Sequence, residues 1–146
     1  MADYHCRIRT NYFHVTDESK FRALMARVYG TEVEVELWED KDEVGNLVFA
    51  FGSQGGIGGL RNSADDEDLA TDESSYDEFI DGLQACVADG DAILLMEAGY
   101  EKLCYLQGTV MILTSTACKC IDFIDLAKKE AQKLLRNPNW ESKCQY

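Results

Sequence analysis

The 146-residue chain carries 14 basic and 27 acidic residues, a formal net charge of −13, and such a field repels nucleic-acid phosphates and anionic membrane surfaces alike. Hydrophobic residues make up 46% of the chain and there is a single proline, which excludes a linker-rich or disordered protein and predicts one packed domain over 1–146. No apolar run approaches the roughly 20 residues that cross a bilayer, and Met1 to His5 lacks the apolar core of a signal peptide, so a cytoplasmic protein without membrane contact is expected.

From Asp3 to Phe13 the residues alternate, with Tyr4, Cys6, Ile8 and Tyr12 on one side and His5, Arg7, Arg9 and Asn11 on the other, the pattern of a half-buried strand. Thr16, Asp17 and Glu18 open a helix in which Phe21, Leu24, Met25 and Val28 recur at helical spacing, and Gly30 is placed to end it. Glu32 to Trp38 alternates again, with Glu32, Glu34, Glu36 and Trp38 on one face and Val33, Val35 and Leu37 on the other. Asp42 to Asn46 reads as a turn and Leu47 to Phe51 as the returning strand of a hairpin. Five glycines between Gly52 and Gly59 predict a loop, followed by an acidic, mobile loop near 61–75. Ser75 with Glu78 reads as a capping box before a helix carrying Tyr76, Phe79, Ile80, Leu83 and Val87 and ending at Gly90.

Ala92 to Ala98 and Leu103 to Leu113 read as strands joined near Gly99 to Lys102, with a short strand from Lys119 to Phe123. The last helix runs from Ile124 to Arg136 with Ile124, Ala127, Ala131, Leu134 and Leu135 inward, and Asn137-Pro138 stops it. This order predicts an α+β fold, an antiparallel sheet of about five to six strands with three helices mainly on one face.

The net charge is segregated. Asn62 to Glu101 holds 13 acidic residues and no lysine or arginine, and Glu32 to Glu43 holds seven acids and one lysine. On one strand face Glu32, Glu34 and Glu36 would repeat at about 6.6 Å, close to the spacing of successive phosphates, so a basic groove would accept them in place of nucleic acid. The competing expectation is that Glu34 and Glu36 pair across strands with Arg7 and Arg9. Clustered acids are either solvated surface that keeps the protein soluble or an interaction surface; on the second reading the candidate partner-binding residues are Glu32, Glu34, Glu36, Asp65, Asp66, Glu67, Asp68, Asp72, Glu73, Asp77 and Glu78, with Trp38, otherwise a packed residue, as an aromatic anchor.

Motifs of chemistry are missing. The glycine-rich stretch has neither the Gly-Lys-Ser/Thr ending of a P-loop nor the Gly-x-Gly-x-x-Gly register. Cys6, Cys86, Cys104, Cys118, Cys120 and Cys144 contain no Cys-x-x-Cys and read as free thiols, and Asp65 to Asp68 lacks the spaced ligands of a calcium loop. A protein that is not an enzyme, with no cofactor and no metal, is expected.

Ile112-Leu113-Thr114-Ser115, Ile121-Asp122, the helix from Ala127 to Leu135 and Asn137-Pro138-Asn139-Trp140-Glu141 resemble small proteins carried by phages and mobile elements of Gram-positive bacteria. The resemblance implies a context: small acidic proteins of that origin are similar in size and charge to anti-CRISPR and antirestriction inhibitors. It implies a protein partner with a basic surface, a Cas effector such as Cas9 or another defence nuclease, without direct nucleic-acid binding. The alternative is a regulatory or structural interaction module of a mobile element, as a homodimer joined through sheet edges.

Overall fold

A computed structural model describes residues 4–62 and 74–144. In chain order the elements are β1 (His5–Thr10), α1 (Glu18–Arg27), β2 (Val28–Gly30), β3 (Glu36–Lys41), β4 (Leu47–Ser53), β5 (Ile57–Leu60), α2 (Ser74–Cys86), β6 (Ile93–Glu101), β7 (Tyr105–Leu113), β8 (Cys118–Asp122) and α3 (Phe123–Leu135). The fold is α+β. Six strands form one antiparallel sheet in the order β3-β4-β1-β6-β7-β8, and β2 pairs with β5 in a small second sheet. No helix among the described residues is long and apolar enough to cross a membrane.

Alternation along β1 decides the two faces of the sheet. Ile8 and Thr10 are buried while Arg7 and Arg9 are exposed. On the Ile8 side, Phe49 and Phe51 of β4 and Ile93 and Leu95 of β6 turn inward to meet Phe21 and Met25 of α1 and Phe79 and Leu83 of α2. Phenylalanine rings bind the layers together: Phe13 stands edge-on to Phe21 at 5.6 Å and to Phe51 at 6.3 Å, and Phe51 reaches Phe79 at 5.8 Å. Each of these rings is fully buried.

The first strand is shorter than its alternation implies. At Asn11 the side chain leaves the ladder, accepting from the Leu94 amide at 2.7 Å and donating to the Ala92 carbonyl at 3.0 Å. The kink shifts the alternation, so Phe13 is buried against Phe49 and Tyr12 is exposed, contrary to the expected inward Tyr12. Asp17 caps α1 by accepting from the Lys20 amide at 3.1 Å, and the helix ends at Arg27 rather than at Gly30. Val28 to Gly30 instead pair with β5. The glycine-rich stretch is accordingly not a loop throughout: Gly58 and Gly59 lie within β5, where a Cβ on Gly58 would collide with the Tyr29 ring.

Further corrections concern the later elements. The expected strand over Glu32 to Trp38 begins only at Glu36 and continues to Lys41. Helix α2 starts at Ser74, so Ser75 is a buried residue of its first turn and not its cap. The β6–β7 connection is Lys102 to Cys104, meeting the expected Gly99 to Lys102 only at its last residue, because Gly99, Tyr100 and Glu101 still pair with β7; Lys102 begins the reversal with a φ of 51°.

The largest departure is α3. Asp122 caps it by accepting from the amides of Ile124 and Asp125, and Arg136 closes it in the left-handed conformation. It contacts β7 and β8, yet none of its residues is buried. Ile124 and Ala131 are half-buried as expected, but Ala127, Leu134 and Leu135 are exposed, Leu134 at 85%. The helix rests on the sheet with Ile124 and Ala131 at one margin of its apolar stripe, together with Lys128, and leaves the rest of the stripe exposed.

These burials predict opposite outcomes for two truncations. Phe51→Ala removes a sealed ring and is expected to cost about 3–5 kcal/mol, whereas Leu134→Ala is expected to stay within about 0.5 kcal/mol. Urea unfolding followed by circular dichroism measures both.

Candidate functional site

The face of the sheet opposite the phenylalanine core is closed over β4, where Val48 and Ala50 are buried, but among the described residues it is only partly covered over β1, β6, β7 and β8. One unbroken cross-strand row runs over all six strands, from Glu36 to Gly52, Arg9, Met96, Val110 and Ile121. Directly opposed residues share a face, so these side chains project together. Where Ile93 and Leu95 are buried, Leu94 and Met96 on this second face are only half-buried. Phe123 of α3 lies over Gly108, whose added Cβ would stand 2.9 Å from the ring, so the start of α3 overhangs this face at its β8 side. Sheet floor and helix together form a groove of about 620 Å³, walled by Trp38 and Arg9 at one side and by Phe123 and Leu126 at the other.

The predicted residues distribute as follows. Glu36 and Trp38 are alternate residues of β3 and both reach the groove. The Arg9 guanidinium stacks over the Trp38 ring at 5.1 Å, a cation–π contact that holds the indole against the sheet. Glu32 and Glu34 precede the strand and are exposed, so the regular row of three glutamates is not formed. The cross-strand pairing with Arg7 and Arg9 is also not formed, because β4 lies between β3 and β1. Glu34 stands 4.0 Å from Arg61 instead. Asp77 and Glu78 lie on the exposed side of α2, while Asp65, Asp66, Glu67, Asp68, Asp72 and Glu73, with most of the acidic loop near 61–75, fall outside the described residues.

Around β3 the acids are concentrated and mostly unpaired. Glu39 pairs with Arg22, and Asp42 with His14. Among the described residues, Glu32, Glu36, Asp40 and Glu43 are exposed and have no cationic side chain within 4 Å. Because β3 is an edge strand, these charges also protect its open backbone edge against strand addition.

No family model, curated protein or solved structure matches the chain. The site is therefore read from its own geometry. All six cysteines are free; burial pushes the Cys6 and Cys86 thiols up from their ordinary range and so suppresses the thiolate. Among the described residues no group of three or more His, Cys, Asp or Glu is placed to hold a metal.

His14 occupies a more informative place than a surface turn. Its Nε2 lies 2.7 Å from Asp42 Oδ2 in the β3–β4 turn, and its Nδ1 lies 2.8 Å from Asp91 Oδ2 before β6. Asp42 also accepts from the amides of Val44 and Asn46, shaping the turn that Gly45 completes with a φ of 90°. The ring thus ties three connections together. The hydrogen bonds to Asp42 and then Asp91 hold His14 above its ordinary value of 6.5, and the His14 ring, then the Asn46 amide, hold Asp42 below its ordinary 3.8. Partial burial pushes Asp91 up, but the His14 backbone and ring outweigh it and leave that carboxyl lowered.

A raised histidine stabilises the fold fully below 6.5 and loses that contribution as pH rises through its folded value; the lowered carboxyls stabilise fully above 3.8 and lose theirs as pH falls. The stability difference between the native chain and His14→Gln is therefore expected to peak between pH 3.8 and 6.5 and to shrink on either side. Urea midpoints of the two proteins across pH measure it; a difference independent of pH would contradict the bridge.

The residues that sequence reasoning missed are Met96, Val110, Ile121, Phe123 and Leu126. A signal existed: Ile93-Leu94-Leu95-Met96 and Val110-Met111-Ile112-Leu113 are apolar without alternation, the pattern of strands with two apolar faces.

Proposed function

We propose that the protein is a non-enzymatic acidic inhibitor that occupies a basic, nucleic-acid-binding surface of a bacterial defence nuclease, a Cas effector such as Cas9 being the target class. The observation that carries this reading is the set of exposed acids without cationic partners at the β3 side of the sheet: Glu32, Glu36, Asp40 and Glu43. Their charge is not spent within the chain, so it is open to the lysines and arginines that otherwise neutralise phosphates. The reading rests on field strength and exposure. A phosphate-like spacing along one strand is no part of it, since Glu32 and Glu34 lie before β3. Asp77 and Glu78 add exposed charge on α2, and Trp38 supplies apolar area beside Glu36.

The alternative, an interaction module of a mobile element, is favoured by one feature, the apolar second face of the sheet. In that reading the acids keep the molecule soluble and the groove provides the contact.

Replacing Glu32, Glu36 and Glu43 by glutamine and Asp40 by asparagine discriminates between them. Capture of guide-loaded Cas9 by the native protein is expected to weaken as salt rises from about 0.05 to 0.2 M, and the neutralised variant to bind at least about tenfold more weakly with a shallower salt dependence. Equal binding by both proteins, or no capture of Cas9 or any other nucleic-acid enzyme, would overturn the inhibitor reading. All four side chains are exposed, so the variant is expected to fold.

A further inference from the structure

The groove on the second face presents an electrostatic anomaly. In a chain of net charge −13, its sheet floor is bordered by cations: Arg7 and Arg9 on β1, and Lys119 on β8, which pairs with Ile112 and so lies on the same face as Val110 and Ile121. Neither Arg7 nor Arg9 has a carboxylate within ion-pair distance among the described residues. Arg7 donates to the carbonyls of Cys6 and Gln54, and Arg9 to that of Thr10 while stacking on Trp38. The acid of this face at the groove is Glu36, on β3 beside Trp38 and across Gly52 from Arg9, while Glu97 opposes Ile8, turns to the core face and accepts there from Tyr4 and Gln107. On α3, Leu126 continues the apolar surface into a second depression of about 520 Å³ bordered by Lys129, Arg136 and the Lys133–Glu130 ion pair.

We propose that this groove is a second docking site, which receives an acidic amphipathic helix of a partner protein. The backbone argues for a helix. At the centre of the floor Ile8 and Arg9 of β1, Met96 to Ala98 of β6, and Thr109 and Val110 of β7 pair with a strand on each side, so an extended segment would find few free donors or acceptors there. A helix satisfies its own backbone and presents an apolar stripe, which Met96, Val110, Ile121, Phe123 and Leu126 would meet on two sides. Charge makes it acidic: glutamates flanking that stripe would face the planar forks of Arg7 and Arg9, which suit carboxylates. A second copy of this chain is a poorer occupant. Its own exposed amphipathic helix, α3, carries Lys128, Lys129, Lys133 and Arg136, and would bring like charges to Arg7 and Arg9.

The site shares Glu36 and Trp38 with the acidic β3 side, but its argument does not depend on the inhibitor reading. A model helix of about 18 residues, with leucines at helical spacing and glutamates on both flanks, serves as the probe, and its counterpart with lysines in place of glutamates as the control. The readout is the methyl NMR signals of Met96, Val110, Ile121 and Leu126. The long-range field of an acidic protein attracts the lysine helix and repels the glutamate helix, so a preference at these methyls for the glutamate helix reports the groove alone. Saturable shifts with the glutamate helix are expected, with affinity reduced about tenfold or more in Arg7→Gln/Arg9→Gln and in Leu126→Glu. Unmoved methyls, equal shifts with the lysine helix, or indifference to these exposed substitutions would overturn the proposal. So would concentration-dependent shifts of the same methyls without any probe, which would assign the groove to a second copy.

Discussion

Everything else in the molecule depends on the one-sided burial of its sheet. Strand β1 sits between β4 and β6, and from that position Ile8 and Thr10 face the rings of Phe49, Phe51, Phe13 and Phe21. Thr10 is fully buried, but its hydroxyl accepts from the Phe51 amide at 3.1 Å, so the polar atom is satisfied inside the apolar layer. Helices α1 and α2 deliver the remaining rings, and the bridges Phe13 to Phe49 and Val15 to Val87 fasten the link between β1 and α1 to the layers around it. A core closed so completely on one side leaves the other side to α3. That helix follows β8 without an intervening loop, and it rests on the sheet by one margin of its apolar stripe instead of by the whole of it.

How much was legible in the chain follows from this asymmetry. Helix α1 and β1 were readable because each has one apolar and one polar side, and the β3–β4 hairpin because Asp42 to Asn46 is a turn sequence before the apolar run Leu47 to Phe51. Glu32 to Val35 misled because alternation there continues past the point where a neighbouring strand is present to pair with it. Gly30 and Gly58 misled for the opposite reason: glycine reads as a breaker, yet Gly58 lets β5 approach the Tyr29 ring of β2 and Gly30 lets the chain fold back onto the Val33 carbonyl. The amphipathic pattern of α3 was real, but pattern fixes which side of a helix is apolar and not which way that side is turned. The His14 bridge joins residues 14, 42 and 91, a separation that no local pattern encodes.

The charge distribution has the same geometric origin. Acids gather on β3, an edge strand with no further strand paired to its outer side among the described residues, and cations gather on β1, β8 and α3 around the second face. Two surfaces of opposite character are thus offered on one sheet. The acidic one suits a basic partner through long-range attraction, while the second adds apolar area to short-range arginine contacts and so favours shape over field.

The claim beneath all of this is that one face of the sheet is sealed and the other is accessible over β1, β6, β7 and β8. Relaxation of methyl protons by a neutral, soluble gadolinium chelate tests it most directly. The account predicts strong relaxation at Leu94, Val110, Ile121 and Leu126, and protection at Ile93, Leu95 and Leu113, their neighbours on the same or adjoining strands. Equal protection of both sets would contradict it, because the second face would then be covered and neither the groove nor its cations would be free to bind.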